Sequence, residues 1–184
     1  VFSDYMKPAV RLAALMGLPV RYVWTHDAFR VGEDGPTHQP VEQEAQIRLM
    51  EHLKNHHGEN SMLVLRPADA IETNIAWKLA LGNRTTPTAL ILSRQNIKTL
   101  PATGTTRAEA AAMASKGAYI VSGTSAAPDV ILVASGSEVA TLVEADTLLA
   151  SEGIRTMIVS APAEGLFRMQ DKVYRESVIT PGIP

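Results

Sequence analysis

Short runs of mainly apolar residues, each about the length of a β-strand, constrain the fold of this chain more than any other feature. Three such runs occupy residues 20–24, 62–65 and 88–92. Segments with the apolar spacing of helices separate them. Strands that are apolar on both faces are typical of a parallel sheet covered by helices on both sides, because a strand with one wet face alternates apolar and polar residues. The pattern therefore predicts an α/β fold.

The helix after the first strand is predicted from the recurrence of Ala45, Leu49 and Leu53. Their spacing of four residues places them on one helix face, and Pro40 suits a first helical turn. Residues 52–61 are mostly polar, so we expect the stretch 49–61 to end in a surface excursion.

The start of the next helix has a sharper signal. Asp69 is followed three residues later by Glu72, which is the spacing of a capping box. The apolar face predicted for this helix consists of Ile71, Ile75 and Leu79.

A second α/β series begins after a loose stretch rich in threonine and alanine. Its strands are predicted at residues 119–121, 130–134 and 154–159. We therefore predict a first domain over residues 1–101, a linker over 102–118 and part of a second domain over 119–184.

The composition excludes several classes of protein. The formal net charge is −2 with no basic cluster, so nothing indicates a nucleic-acid partner. No apolar run is long enough to span a bilayer. The chain has no cysteine, which excludes disulfides and thiolate zinc sites and is consistent with a cytoplasmic enzyme. The chain begins with Val1 and both ends interrupt a pattern, so we expect a piece of a longer polypeptide.

Residues 25–40 form the first candidate for a functional site. This turn-rich loop between a strand and a helix contains two imidazoles and three carboxylates, from His26, Asp27, Glu33, Asp34 and His38. Imidazole and carboxylate groups held in a loop suit an acid/base-active, polyhydroxylated substrate. Taken singly, His26 is better interpreted as a satisfied loop residue and His38 as a residue of a helix start. Asp34, Gly35 and Thr37 between them make a polar binding loop the better interpretation.

His26 and Arg94 each follow a predicted strand. Because ligands of open α/β sheets bind beyond the carboxyl ends of the strands, both side chains could face one crevice. For Arg94 alone, a solvated arginine or an ordinary ion pair is an equal alternative. The spacing between His26 and His38 matches no common pattern of metal ligands, so a metal site is the weaker interpretation of this pair.

Two further features have simple structural explanations. Phe2 and Tyr5 are three residues apart and can project from one helix face, where core packing is the usual reason. Gly136-Ser137 after a strand is similar to a phosphate-binding helix start, but tight packing with Ser137 as N-cap explains it as well.

Thr-His-Asp at residues 25–27 and Gly-Glu-Asp-Gly-Pro-Thr-His-Gln-Pro at residues 32–40 together form the most specific motif of the chain. With this motif the chain resembles transketolase. Further segments similar to that family follow in order at residues 66–69, 93–96, 116–119 and 134–138. Ala28-Phe29-Arg30 departs from the family's usual sequence in this loop.

The resemblance implies a three-layer, parallel-sheet fragment of a pyrimidine-binding domain, followed by the N-terminal part of a transketolase C-terminal domain. It also implies a cytoplasmic homodimer that depends on thiamine diphosphate with Mg²⁺ or Ca²⁺. Such an enzyme moves a two-carbon ketol unit from a ketose phosphate to an aldose phosphate in the pentose phosphate pathway.

The resemblance also implies roles for six residues. Phe2 and Tyr5 would belong to the aromatic pocket around the aminopyrimidine. His38, which with His26 is a candidate catalytic residue, would contact the reacting ketol end, and Asp34 a donor hydroxyl. The distal hydroxyl and the phosphate would be bound by His26 and Arg94.

The family's Gly-Asp-Gly segment, which binds the diphosphate and the metal, does not occur in this sequence. We therefore expect no metal ligands in this chain and no catalysis by the chain alone. Two related enzymes stay open as alternatives: dihydroxyacetone synthase, and the pyrimidine-domain subunit of a split transketolase. An alternative of another class is a non-catalytic module for dimerisation or regulation.

Overall fold

The computed structural model describes residues 2–27, 31–32, 35–123 and 127–184. In chain order its helices and strands are α1 (Ser3–Leu15), β1 (Arg21–Trp24), α2 (Gln43–His52), β2 (Leu63–Leu65), α3 (Ala70–Gly82), β3 (Thr88–Ile91), α4 (Arg107–Ala112), β4 (Tyr119–Gly123), β5 (Val130–Ala134), α5 (Glu138–Ser151), β6 (Thr156–Ser160), α6 (Glu164–Arg168) and α7 (Lys172–Val178).

The first sheet is parallel, as the apolar runs predict. Its strand order is β1-β3-β2, with Trp24 opposite Ile91 and Leu65 opposite Leu90. All four residues of β3, the central strand, are buried. A continuous apolar run is required there because both faces of β3 are covered.

Helices cover both faces of this sheet. On one face, Val10 and Ala13 of α1 pack with Val64 and Ala89, and Ile47 of α2 packs against the same cluster. On the other face, the core cluster consists of Leu65, Ala76, Ala80, Leu90 and Ala163. These three layers confirm the predicted fold class of the first part of the chain.

The second sheet has the order β4-β6-β5 and is mixed. β5 runs parallel to β6, whereas β4 runs antiparallel to it. α5 packs on one face through Val139, and α7 packs on the other through Val178. The helices α6 and α7 have no counterpart in the sequence-based prediction, because helices of 5 and 7 residues are too short to show a clear period.

The predicted apolar face of α2 is wrong. Leu49 is 60% exposed and Leu53 is 47% exposed, and Ala45 is also exposed. The fully buried side of the helix instead carries Arg48 and Glu51. Nε of Arg48 donates to Glu44 of the same helix at 3.0 Å and lies 3.4 Å from a carboxylate oxygen of Glu164, which opens α6. Glu51 accepts from the backbone amide of Val64 in β2. Burial of these charges depends on partners within the helix and, through Glu164 and Val64, outside it.

The segment predicted as a linker, residues 102–118, contains α4. Thr106 and Glu109 form a capping box at its start, which stabilises a helix too short to persist alone. The helix continues into a 3₁₀ turn, Met113–Lys116. The boundaries of the two domains remain a prediction.

A buried ionic network joins this linker helix to both sheets. Arg107 donates from Nε to Asp69 (2.7 Å) and from Nη2 to Glu72 (3.2 Å). It also donates to the hydroxyl of Tyr119, which in turn donates to Glu72. Asp69 caps α3 by accepting from the amide of Glu72, as the sequence predicts. The network therefore connects α3, α4 and β4.

Among the described helices, none is both long and apolar enough to cross a membrane.

Candidate functional site

A cavity of about 480 Å³ opens at the carboxyl end of β1 and β3. This is the edge at which open α/β sheets bind ligands. The cavity is lined by residues from the ends of the two strands, the start of α1, the loop before α2 and α2 itself: Phe2, Ser3, Val23, Trp24, Thr25, His26, Asp27, His38, Pro40, Val41, Gln43, Glu44, Ile47 and Ile91.

His26 reaches this cavity from an unusual backbone conformation. Its φ angle is +69°, in the left-handed region that a residue with a side chain seldom adopts. The Nδ1 atom lies 2.9 Å from the hydroxyl oxygen of Thr25. Such a conformation persists only where the surroundings hold it, which is typical of functional sites.

His38 enters the cavity from a 3₁₀ turn, Pro36–His38. Its Nδ1 atom lies 2.8 Å from the hydroxyl oxygen of Thr37. The ring of Phe2 stands edge-on to the imidazole, with ring centroids 5.2 Å apart. The structure thus brings His26, His38 and Phe2 to one cavity.

The two predicted aromatic residues are on the surface. Phe2 is 60% exposed and Tyr5 is 80% exposed, so core packing does not explain them. Their rings stack with centroids 6.1 Å apart. Phe2 lines the cavity, whereas Tyr5 reaches it only through Phe2.

Arg94 lies beside the loop that joins the two histidines, and among the described residues it is not part of the cavity lining. Its Nη1 atom donates to the carbonyl oxygen of Val31 at 2.8 Å. Gln39, next to His38, donates to the carbonyl oxygen of Gly32 at 3.1 Å. Residues 31–32 therefore bridge Arg94 to the turn that carries His38.

Asp34, predicted as a substrate ligand, lies outside the described residues, as does Glu33. The described residues contain no group of three or more His, Asp or Glu side chains arranged to hold a metal ion.

Sequence reasoning missed two polar residues of the cavity wall, Gln43 and Glu44. Gln43 is buried and donates from its amide to Asp4 at 3.1 Å, which joins α2 to α1. A polar pair directly after the turn-rich loop was the available signal, but it is too common at helix starts to be specific.

Asp27, which the sequence left without a role, sits at the centre of a buried cluster. Its carboxylate accepts from Arg66 at 3.1 Å and from the hydroxyl of Ser137 at 3.0 Å. Arg66 also donates to Glu138 at 2.6 Å. Burial disfavours the charge of Arg66, but hydrogen bonding to Glu138 and the nearby carboxylates outweigh it and raise the pKa of Arg66.

Ser137 does not act as the predicted N-cap of α5. It occupies the cap position, but its side chain makes no capping hydrogen bond. The hydroxyl donates instead to Asp27, because a buried carboxylate is a stronger acceptor and requires donors. The helix start therefore joins the second sheet to the cavity loop.

Comparison with known proteins identifies similar chains. Residues 1–99 match the model "Transketolase, pyrimidine binding domain", and residues 117–184 match "Transketolase-like TK C-terminal domain". The transketolase of Geobacillus stearothermophilus is 50% identical over 184 residues, which is 100% of this chain and 26% of that protein. The chain therefore spans about a quarter of the length of the curated relatives it matches.

Solved structures agree with this similarity. Transketolase from Leishmania mexicana superposes with a TM-score of 0.84 at 42% identity, covering 100% of this chain and 25% of that chain. A more distant match is "Split gene transketolase, inactive beta4 tetramer", with a TM-score of 0.56 at 26% identity over 78% of this chain and 40% of that chain.

Proposed function

We propose, because this chain belongs to the transketolase family, that the complete protein transfers a two-carbon ketol unit from a ketose phosphate to an aldose phosphate. The observation that carries this proposal is the cavity beyond β1, where two imidazoles meet an exposed aromatic ring. Imidazole exchanges protons near neutral pH and hydrogen-bonds to hydroxyls, as this reaction requires.

The aromatic pair fits thiamine diphosphate. An exposed ring beside a cavity offers a surface on which a planar heteroaromatic group can stack, and Phe2, supported by Tyr5, is such a ring. When bound, this cofactor supplies the carbanion and the electron sink that carbon–carbon cleavage needs. We further propose Mg²⁺ or Ca²⁺ as its metal, a homodimer as the assembly and the cytoplasm and pentose phosphate pathway as the setting.

We assign the substrate contacts as follows. His38 faces the reacting ketol end, where it exchanges a proton and stabilises developing charge. Its Nδ1 is engaged with Thr37, so Nε2 is the nitrogen for this contact. His26 and Arg94 hold the distal hydroxyl and phosphate, and Asp34 binds a donor hydroxyl.

The direct test is an assay of the complete protein with thiamine diphosphate, Mg²⁺, a ketose phosphate donor and an aldose phosphate acceptor. We expect as product a ketose phosphate that is two carbons longer than the aldose phosphate acceptor. Formaldehyde as acceptor tests for dihydroxyacetone synthase activity, and preference for it would replace our proposal. Failure with every acceptor would favour a non-catalytic module.

The match to a split-gene transketolase favours a second candidate, in which this chain belongs to a separate pyrimidine-domain subunit. The intact mass of the natural protein decides between the two. A mass near four times that of this 19.8 kDa chain supports the single-chain enzyme, as its coverage of relatives indicates.

Replacing Arg94 with Ala in the complete enzyme should raise KM for phosphorylated sugars. A charge-assisted hydrogen bond to phosphate would be lost, which costs roughly 1.5–3 kcal/mol. A short unphosphorylated acceptor such as glycolaldehyde should be almost unaffected. Lysine should restore only part of the loss, because a point charge lacks the planar fork of the guanidinium group.

Arg84→Ala is the matched control, since Arg84 is exposed and precedes β3 instead of following it. An equal rise in KM for phosphorylated and unphosphorylated acceptors would mean that Arg94 acts through the carbonyl of Val31, by holding the loop. The phosphate assignment would then be withdrawn.

A further inference from the structure

We propose that Ser137 and Arg66 are positioning residues for His26: by holding Asp27, they allow the second sheet's helix α5 to fix the loop that places His26 in the cavity. This inference rests on the proposed function for its kinetic readout. It concerns residues at the junction of the two sheets that do not themselves line the cavity.

The first step is the rigidity of Asp27. Only 1% of its side chain is exposed, and the carboxylate accepts from Arg66 and Ser137. Arg66 also donates to the carbonyl oxygen of Asp27 at 3.3 Å. Both the side chain and the backbone of Asp27 are therefore held by donors outside its own loop.

The second step is the coupling to His26, the preceding residue. A φ of +69° is unfavourable for histidine and needs an external restraint. Among the described contacts, the side chain of His26 is hydrogen-bonded only to that of Thr25, which belongs to the same loop. Asp27, the next residue, joins the His26 end of this loop to Arg66 and to the start of α5, so its partners restrain where the imidazole points.

The third step is the close packing between Arg66 and the turn before α5. The carbonyl oxygen of Arg66 accepts from the amide of Gly136 at 3.0 Å, and its guanidinium donates to the carbonyl oxygen of Ser135 at 3.1 Å. A Cβ atom at Gly136 would lie 2.7 Å from Nε of Arg66. The turn before α5 is therefore shaped around Arg66, and Glu138 fixes the guanidinium at 2.6 Å.

These contacts have a consequence beyond stability. The residues that hold Asp27 come from sequence positions 39 and 110 residues away. A displacement of α5 relative to the first sheet would move His26 without touching the substrate. The second sheet thus acts as part of the support of the substrate site.

The test is Ser137→Ala in the complete enzyme, with Ser151→Ala as control. Ser151 lies at the other end of α5, is exposed and hydrogen-bonds only within the helix. We expect Ser137→Ala to raise KM for phosphorylated sugars by about two- to tenfold, as for one lost hydrogen bond, with kcat and cofactor affinity nearly unchanged. Ser151→Ala should leave KM, kcat and cofactor affinity unchanged.

A double-mutant cycle shows whether the effect passes through His26. In a His26→Ala background, Ser137→Ala should have no further effect on KM, because the residue being positioned is gone. If Ser137→Ala raised KM equally in both backgrounds, Ser137 would not act through His26 and the inference would be wrong. Glu138→Gln, a milder change at a half-exposed side chain, should shift KM in the same direction.

Hydrogen exchange of the complete protein gives a readout that does not need activity. Ser137→Ala should speed exchange of the amides of residues 25–27 and leave α3 unchanged. An inactive wild-type protein would count against the proposed function, while this measurement would still test the positioning. Unchanged exchange and unchanged KM in an active enzyme would overturn the inference.

Discussion

Replacing Arg107 with Met should destabilise the fold by about 3–5 kcal/mol, as expected when one partner of a buried ion pair is removed. Asp69 and Glu72 both have side chains with 0% exposure, and Arg107 is the cation that contacts them. Methionine keeps most of the volume but leaves two buried carboxylates without a positive charge. Urea denaturation of the variant and of the wild-type protein measures the difference.

Arg155→Met is the matched control, because Arg155 pairs with Asp129 on the surface, where both side chains are about half exposed. We expect little change there, since exposed ion pairs contribute little. An Arg107→Met protein as stable as this control would show that the buried network does not hold the two sheets together.

The same network predicts the pH dependence of stability. Burial raises the pKa of Asp69, but hydrogen bonds from Arg107 and from backbone amides outweigh it and leave the pKa below the usual value of 3.8. The stabilisation by Asp69 is therefore complete above pH 3.8 and lost as the pH falls through the lower, folded-state pKa. The stability difference between Arg107→Met and wild type should accordingly shrink in acid.

His38→Ala in the complete enzyme should lower kcat by about a hundredfold or more, the range for loss of a group that transfers a proton. This prediction rests on the proposed role of His38, which lines the cavity between Thr37 and the ring of Phe2. We expect KM for the donor to change less than kcat, since the contact with the reacting centre strengthens in the transition state. Steady-state kinetics with a ketose phosphate donor measures both.

His56→Ala is the control for loss of an imidazole, because His56 is exposed in the excursion after α2 and its ring lies beside that of His57, with centroids 4.3 Å apart. If the kcat of His38→Ala were the same as that of this control, His38 would be a structural residue of the loop. The proposed role of the cavity in proton transfer would then fail.

The features that depend on local pattern could be predicted from the amino-acid sequence. Unbroken apolar runs predicted the parallel sheet, since β3 has to be apolar on both faces. The spacing of Asp69 and Glu72 predicted the start of α3, because a cap is made within four residues. The position of His26 after β1 predicted a side chain at the carboxyl edge of the sheet, and His26 lines the cavity there, whereas Arg94 is not among its lining residues.

The features that depend on partners distant in sequence could not be predicted without the fold. Arg48 and Glu51 replace Leu49 and Leu53 on the buried side of α2, where Arg48 meets Glu164 of α6 and Glu51 accepts from the amide of Val64 in β2. Ser137 serves Asp27 instead of its own helix, across 110 residues of sequence. Periodicity reports which residues share a face, but burial of a charge depends on whether a partner arrives there, and only the folded chain determines that.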